Sequence, residues 1–175
     1  MMVKIGLQIK ARLEYLSKLN IQDEAYLRVF KAKCTNCGEV TKHMDFTRFD
    51  KEALSGGRGH AMLHYKCKLC SRENHMSLLP LTLQPYYGIE SENFKTIAEF
   101  DCHGLELVDF IPTKGWRVEV ENSHKKFEDV DLAEREWMNY DDCAKVSVGV
   151  YELEHCFVKI PQHVVIVMSN RPICD

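Results

Sequence analysis

Val3-Lys4-Ile5-Gly6-Leu7-Gln8-Ile9-Lys10-Ala11-Arg12-Leu13 places an apolar residue at every odd position and a polar or charged one at every even position except Gly6. Extended chain with that period presents one side to a core and the other to water, so residues 3–13 are predicted to form a half-buried strand. Shorter stretches of the same period cover residues 26–33, 40–49, 61–67, 96–102, 116–120 and 146–158. In the last of these, Tyr151, Leu153, His155 and Phe157 share a face. Turn chemistry separates the stretches: Ser55-Gly56-Gly57-Arg58-Gly59, Tyr87-Gly88, Pro112-Thr113-Lys114-Gly115, and the breaks at Pro80 and Pro85. Asp131-Leu132-Ala133-Glu134 has the outline of a capping box, which predicts a turn or two of helix running toward Trp137. Asp141-Asp142 and the β-branched run after it leave that helix no room to extend. Short strands, Gly/Pro turns and little helix predict an all-β fold, a mostly antiparallel sandwich or barrel.

The pattern also repeats. Residues 4–16 resemble residues 95–107 in their alternation, and the segment around Cys67 has a rough partner around Cys156. This predicts two similar β halves, residues 1–87 and 88–160, within one structural unit, followed by an extension over 161–175. The boundary falls near residues 85–92. The first half is expected to hold a metal site, and the second to replace it with apolar packing.

That metal site rests on Cys34-Thr35-Asn36-Cys37 and Cys67-Lys68-Leu69-Cys70. A two-residue spacer lets both sulfurs of a pair turn to one point, and two pairs supply four thiolates, the ligand set of a closed tetrahedral Zn²⁺ site. One zinc per chain is expected, with Cys34, Cys37, Cys67 and Cys70 as its ligands. Gly38 follows the first pair and can adopt positive φ, which turns backbone N–H groups toward the sulfurs; Ser71 stands at that place in the second pair. Zinc with four thiolates carries a formal charge of 2 − 4 = −2, which Lys33, Lys66, Lys68 and Arg72 flank. The rival chemistry, dithiol redox, suits a lone CxxC at a helix N-terminus, whereas both pairs here follow predicted strands. Four sulfurs leave no position for water, so the site reads as structural, and loss of zinc is expected to unfold at least the first half.

Composition narrows the class. The 175 residues are 45% hydrophobic and 28% charged, ordinary for a folded soluble protein. The longest late apolar run, Val164 to Met168, is far short of the roughly 18 residues that a membrane span needs. Eight cysteines without a signal-peptide core point to a reducing compartment, and a cytoplasmic location is expected. Cys102, Cys143, Cys156 and Cys174 read as small apolar residues. Net charge is 23 − 26 = −3. Residues 1–87 carry 14 basic and 8 acidic side chains, residues 88–175 carry 9 and 18, so +6 faces −9. Such halves attract each other or present two partner surfaces. A pI near 6.2 argues against a dedicated nucleic-acid binder.

Other candidates carry less. His60 and His64 lie four apart in a predicted strand and read as solvated, and His103 and His155 point away from the cysteines beside them. The 55–59 glycine run lacks the Lys-Ser/Thr of a phosphate loop. The acidic stretch from Glu128 to Asp131, with Glu134, Glu136, Asp141 and Asp142, reads as a solvated face. No catalytic constellation follows from spacing, so no enzyme activity is expected.

Gly56-Gly57-Arg58-Gly59 ahead of Cys67-Lys68-Leu69-Cys70-Ser71-Arg72-Glu73-Asn74, then Glu92-Asn93-Phe94-Lys95-Thr96-Ile97, Glu99-Phe100, Gly104-Leu105-Glu106, Asp109-Phe110, Trp137, Tyr140-Asp141 and Ser147-Val148-Gly149-Val150-Tyr151-Glu152, resemble the eukaryotic CXXC-motif-containing zinc-binding proteins. The resemblance spans about residues 3–159. It implies an elongated, mostly β, zinc-binding protein of two similar halves without established enzymatic activity. His103 and Leu107 stand where that pattern leads one to expect Arg and Pro, and residues 160–175 extend past its end. The expected function is a non-enzymatic zinc protein that engages a protein partner, as a monomer and without nucleic acid or membrane. Exchange of zinc or copper with a partner through the same thiolates is the alternative, and thiol redox chemistry the third reading.

Overall fold

The computed structural model describes residues 2–23, 27, 29–45, 52–53, 60–61 and 63–161. Strand β1 (Met2–Glu14) is the alternating segment, one residue longer at each end than predicted. Its inward residues Ile5, Leu7, Ile9 and Ala11 are buried. The chain turns a corner at Tyr15, whose φ is 53°, and continues as β2 (Leu16–Ile21). There follow β3 (Val29–Cys34), β4 (Met44–Asp45), β5 (Glu52–Ala53), β6 (His60–Ala61), β7 (Leu63–Lys66), β8 (Glu73–Leu78) and β9 (Tyr86–Tyr87). A second long strand, β10 (Lys95–His103), turns its own corner at Gly104 into β11 (Leu105–Phe110). Then come β12 (Trp116–Val120), β13 (Lys126–Val130), β14 (Trp137–Asp141) and β15 (Val146–Lys159).

The fold is all-β. A six-stranded sheet runs β14-β15-β1-β10-β8-β7, and beside it lie sheets β13-β12-β2-β9 and β11-β3-β4, with antiparallel pairing throughout. Among the described residues no helix is long and apolar enough to cross a membrane. The helix predicted after Asp131 does not form. Asp131 Oδ1 does accept the Ala133 N–H at 2.9 Å, but the chain makes one turn, closed by the Arg135 N–H on the Leu132 carbonyl. Arg135 then takes φ 62° and the chain enters β14.

The repeat is written into the register. Cys102↔Met76 and His103↔His75 in one half of the six-stranded sheet match Leu13↔Val150 and Glu14↔Gly149 in the other. Likewise Leu105↔Cys34 and Phe110↔Phe30 match Leu16↔Val120 and Ile21↔Trp116. The offsets are constant: 102 − 13 and 110 − 21 are both 89, 120 − 34 and 116 − 30 both 86, and 150 − 76 and 149 − 75 both 74. The fall from 86 to 74 places twelve extra residues of the first repeat between β4 and β7, where the glycine run lies, itself outside the described residues. The sequence alignment of residue 4 with 95 is therefore two positions out. A slip of two preserves the alternation of faces, which is why the pattern could not reveal it.

The repeats also trade strands. β1 and β2 of the first pair with β15 and β12 of the second, while β10 and β11 of the second pair with β8 and β3 of the first. Strands from residues 1–87 and 88–160 thus interleave in the sheets. One continuous core joins them, with Phe30 packed 5.3 Å from Phe100 and 5.2 Å from Phe110, ring centroid to centroid. Where the repeats meet in sequence, buried Tyr86 sets its hydroxyl 2.6 Å from the Glu90 carbonyl and 2.7 Å from that of Asn93, fixing the connection into β10.

Candidate metal centre

Each CxxC pair sits at the tip of a tight antiparallel turn, and the two turns are built alike. Cys34 ends β3; its N–H donates to the Glu39 carbonyl at 2.8 Å, and its carbonyl accepts the Gly38 N–H at 2.9 Å. Cys67 follows β7; its N–H donates to the Arg72 carbonyl at 2.8 Å, and its carbonyl accepts the Ser71 N–H at 2.9 Å. Both bonds span the same number of residues. The residue after each second cysteine is left-handed, Gly38 at φ 82° and Ser71 at φ 62°. Glycine holds that conformation without the Cβ penalty that serine carries. Ser71→Gly is therefore expected to stabilise the zinc-loaded protein by about 0.5–1 kcal/mol, read from denaturant unfolding, and Gly38→Ala to destabilise it.

All four sulfurs lie within 4.8 Å of one another. Cys34 and Cys70 are 3.7 Å apart at Sγ, Cys37 and Cys67 3.4 Å. A tetrahedron with Zn–S bonds of about 2.3 Å has edges of about 3.8 Å. The donor set and its spacing fit Zn²⁺, and the predicted ligands Cys34, Cys37, Cys67 and Cys70 are all brought together. Cys34 and Cys67 are buried, Cys37 and Cys70 half-buried.

The cluster's electrostatics explain why it needs a cation. Burial alone would push the Cys34 thiol up, but the N–H groups of Cys37 and Asn36 and the amide of Asn74 outweigh it and bring Cys34 to about 6. The Asn36 side chain, with the Arg72 N–H, lowers Cys70. The Glu39 N–H favours a thiolate at Cys37, yet burial and the three other sulfurs push that thiol up to about 12. Cys67 is raised by Glu39, whose Oε2 accepts its S–H at 2.9 Å. Two sulfurs are thus shifted toward the thiolate and two toward the thiol, Cys37 by burial and its fellow sulfurs and Cys67 by Glu39. A bound Zn²⁺ would supply the compensating charge and require all four sulfurs as thiolates.

Asn74 sits beneath Cys34, one of two buried polar side chains among the described residues, the other being Asp141. Its amide donates to Cys34 Sγ at 3.6 Å or, turned over, to the carbonyls of Gly104 at 3.0 Å and Glu73 at 3.3 Å. The second orientation gives more hydrogen bonds, while a thiolate at Cys34 favours the first. Gly104 leaves room for the amide, since a Cβ there would come within 2.1 Å of its oxygen.

The second repeat shows what replaces these groups. By the offsets above, Cys34, Cys37, Cys67 and Cys70 correspond to Val120, Ser123, Asp141 and Ala144. Asn74 corresponds to Val148 and Glu39 to Lys125. Val120 and Val148 are buried, so the Cys34–Asn74 contact becomes apolar packing. The Cys37–Cys67 contact becomes a hydrogen bond, Ser123 Oγ donating to Asp141 Oδ2 at 2.6 Å. Asp141 also accepts the Cys143 N–H at 2.9 Å, and Lys125 Nζ lies 3.9 Å away. The expectation of purely apolar replacement is corrected: a buried carboxylate takes the second turn's place in the site. Asp141 is likewise not on a solvated face. Asn74→Val, which copies the second repeat, is expected to keep the fold and weaken zinc retention about 10–100-fold, measured by competition with a chelator.

Other predicted residues are scattered. Cys102 is buried, Cys156 half-buried and Cys143 exposed; Cys174, like the 164–168 run, lies outside the described residues. Lys33, Lys66 and Lys68 are exposed beside the turns. His64 is exposed, its Nε2 3.5 Å from Glu73 Oε2, and the side chain of His60 lies outside the described residues. His155 joins a cluster that spacing gave no sign of: its Nε2 lies 3.2 Å from Asp109 Oδ1, His43 Nε2 is 2.6 Å from Asp109 Oδ2, and Arg135 reaches His155 Nδ1 at 2.9 Å. These residues come from four separate stretches of the chain, so only the fold reveals them.

Comparison with known proteins agrees with this geometry. A family model described as "CXXC motif containing zinc binding protein, eukaryotic" matches residues 6–158. The human CXXC motif containing zinc binding protein is 47% identical over 159 residues, covering 90% of this chain and 99% of the relative. UPF0587 protein CG4646 of Drosophila melanogaster is 41% identical over 91% of this chain and 99% of its own length. The crystal structure of C1orf123 superposes with a TM-score of 0.85 at 47% identity, covering 90% of this chain and 99% of that one. A hypothetical protein from Plasmodium falciparum does so with a TM-score of 0.79 at 25% identity, covering 89% and 99%.

Proposed function

The chain belongs to the family of eukaryotic CXXC motif containing zinc binding proteins, and we propose that it is a non-enzymatic scaffold, with one structural zinc per chain, that engages a protein partner. The observation that carries this reading is the closed shell. Four sulfurs at tetrahedral spacing fill the coordination sphere and leave no position for water or substrate. The ion would tie two hairpin turns that are otherwise joined through Glu39, whose Oε2 accepts the Leu69 N–H at 3.2 Å and the Tyr65 hydroxyl at 3.3 Å. Zinc then acts as a cross-link on the turns, which present exposed Leu69 (70% accessible) and Val40 beside Lys66 and Lys68. Exposed apolar residues near lysines in the sequence suit an acidic protein surface. Among the described residues no disulfide joins the seven cysteines, as a reducing compartment such as the cytoplasm would keep them.

One observation favours metal handling as a second reading. Cys37 and Cys70 are half-buried, so an incoming thiolate could approach from their side. Challenge of the zinc-loaded protein with a mild chelator, followed by circular dichroism, separates the two. A structural ion resists removal, or leaves only as the fold is lost. Zinc that departs from a protein still folded overturns the scaffold reading and supports exchange. Alkylation of the folded, zinc-loaded protein tests thiol redox chemistry, which requires a reactive site cysteine; the scaffold reading expects Cys34, Cys37, Cys67 and Cys70 to stay unlabelled.

A further inference from the structure

Strands β7, β8 and β10 lie side by side, and three histidines occupy one level across them. His64 is opposite His75, and His75 is opposite His103. All three stand on the outer face, because the residues that alternate with them, Leu63, Asn74, Met76 and Cys102, are buried on the inner one. The row therefore lies across the sheet from the side on which Asn74 meets Cys34. The rings of His75 and His103 already stack, with centroids 4.7 Å apart and planes within 14°.

Directly opposed residues on antiparallel neighbours have Cβ atoms about 4.5–5.5 Å apart. Two imidazole nitrogens on one ion, each about 2.0–2.1 Å from it, stand about 3.3 Å apart in a tetrahedral shell. The register sets His75 at the centre with His64 and His103 on the neighbouring strands to either side. Gathering the nitrogens requires the stacked rings to turn about χ2, a broad and soft torsion for histidine. Burial, then His103 and His64, lower the pKa of His75, and burial lowers that of His103, which favours the neutral imidazole that a metal binds. Glu73 beside His64 adds negative charge at one end.

We propose that His64, His75 and His103 form a second metal site, which takes a divalent late transition ion of the Ni²⁺, Cu²⁺ or Zn²⁺ class for which imidazole is the fitting ligand. The site has three protein ligands, His64 exposed and His75 and His103 half-buried, so its ion exchanges more readily than one in the four-thiolate centre. The two centres differ in ligand, exposure and face of the sheet.

Nickel(II) is the probe of choice, because it leaves thiols unoxidised and broadens nearby proton resonances. Full-length, zinc-loaded protein is titrated with Ni²⁺ by calorimetry, with histidine side-chain NMR and elemental zinc measured alongside. The expected result is one Ni²⁺ per chain with zinc fully retained, and broadening centred on His64, His75 and His103. His75→Asn should weaken binding by at least about tenfold, His103→Asn should weaken it too, and His64→Asn/His103→Asn together should abolish it. His124→Asn, at an exposed turn of the second repeat, should change nothing. These side chains face outward, so circular dichroism should report intact folds. Unaltered Ni²⁺ affinity in both His75→Asn and the double variant, or Ni²⁺ uptake matched by zinc release, overturns the proposal.

Discussion

Replacing Cys34 and Cys67 together with serine is expected to abolish tight zinc binding and to unfold the metal-bearing part of the sheets. The two are the buried members of the four, and each anchors its own turn through a hydrogen bond on either side. Structural zinc sites contribute apparent binding energies of about 10–16 kcal/mol near neutral pH, as large as the roughly 5–15 kcal/mol stability of a whole domain. The strand exchange decides where the damage goes. β3, β7 and β8 carry the turns, so with β11, which pairs with β3, they should lose protection from amide exchange, while β10 loses its β8 side and keeps its pairing with β1. β1 and β2 precede them in the chain but pair with β15 and β12, and should remain protected. The expectation that zinc loss unfolds the first half of the sequence is refined accordingly. Exchange that rises evenly over residues 2–78 while residues 95–159 stay closed would contradict the interleaved account.

Asp141→Ala is expected to be the most damaging polar substitution away from the zinc. It strips the acceptor from the Ser123 hydroxyl and the Cys143 N–H and leaves Lys125 without its nearest carboxylate, all at the turns that lack a metal. Ser123 and Lys125 are half-buried and Cys143 is exposed, so water replaces the carboxylate only in part, and the melting temperature should fall by about 3 °C or more with zinc content unchanged. The Ser123 hydrogen bond, helped by the N–H groups of Cys143 and Ala144 and by the Lys125 charge, outweighs burial and holds the Asp141 carboxyl below its ordinary range. A carboxylate whose folded pKa is depressed contributes stability that is complete above its unfolded pKa, about 3.9, and is lost as pH falls through the folded value. The difference in stability between wild type and Asp141→Ala should therefore be constant above about pH 5 and shrink below about pH 4. Equal melting temperatures at pH 7 would show that Asp141 does not do for the second repeat what zinc does for the first.

The parts of this molecule that were legible in its sequence are those where side-chain chemistry and geometry agree. β1 and β12 alternate cleanly and appear where predicted. CxxC spacing is set by the reach of two sulfurs to one ion, so the ligands could be named without a fold. Five of the strands that gave no such signal are hidden for specific reasons. In β2 a register shift opposite Glu119 and Val120 puts the buried residues Leu16 and Leu19 three apart. In β8 the inward position is polar Asn74, and in β14 the pattern is inverted, with Asp141 inside and Met138 and Tyr140 exposed. In β11 a shift between Leu107 and Asp109 moves the buried face onto Phe110. In β13 only Val130 is buried. The polar residues that hide β8 and β14 are those that serve the two pairs of turns. Function, in this sense, erased the pattern that would have revealed structure.

Native mass spectrometry of the untagged full chain, purified without added metal and passed through a chelator, tests the central claim most directly. The account predicts one retained zinc per chain in the wild type and in Asp141→Ala, and none in Cys37→Ser. A wild-type chain that holds no zinc, or a Cys37→Ser chain that still holds one, would contradict it.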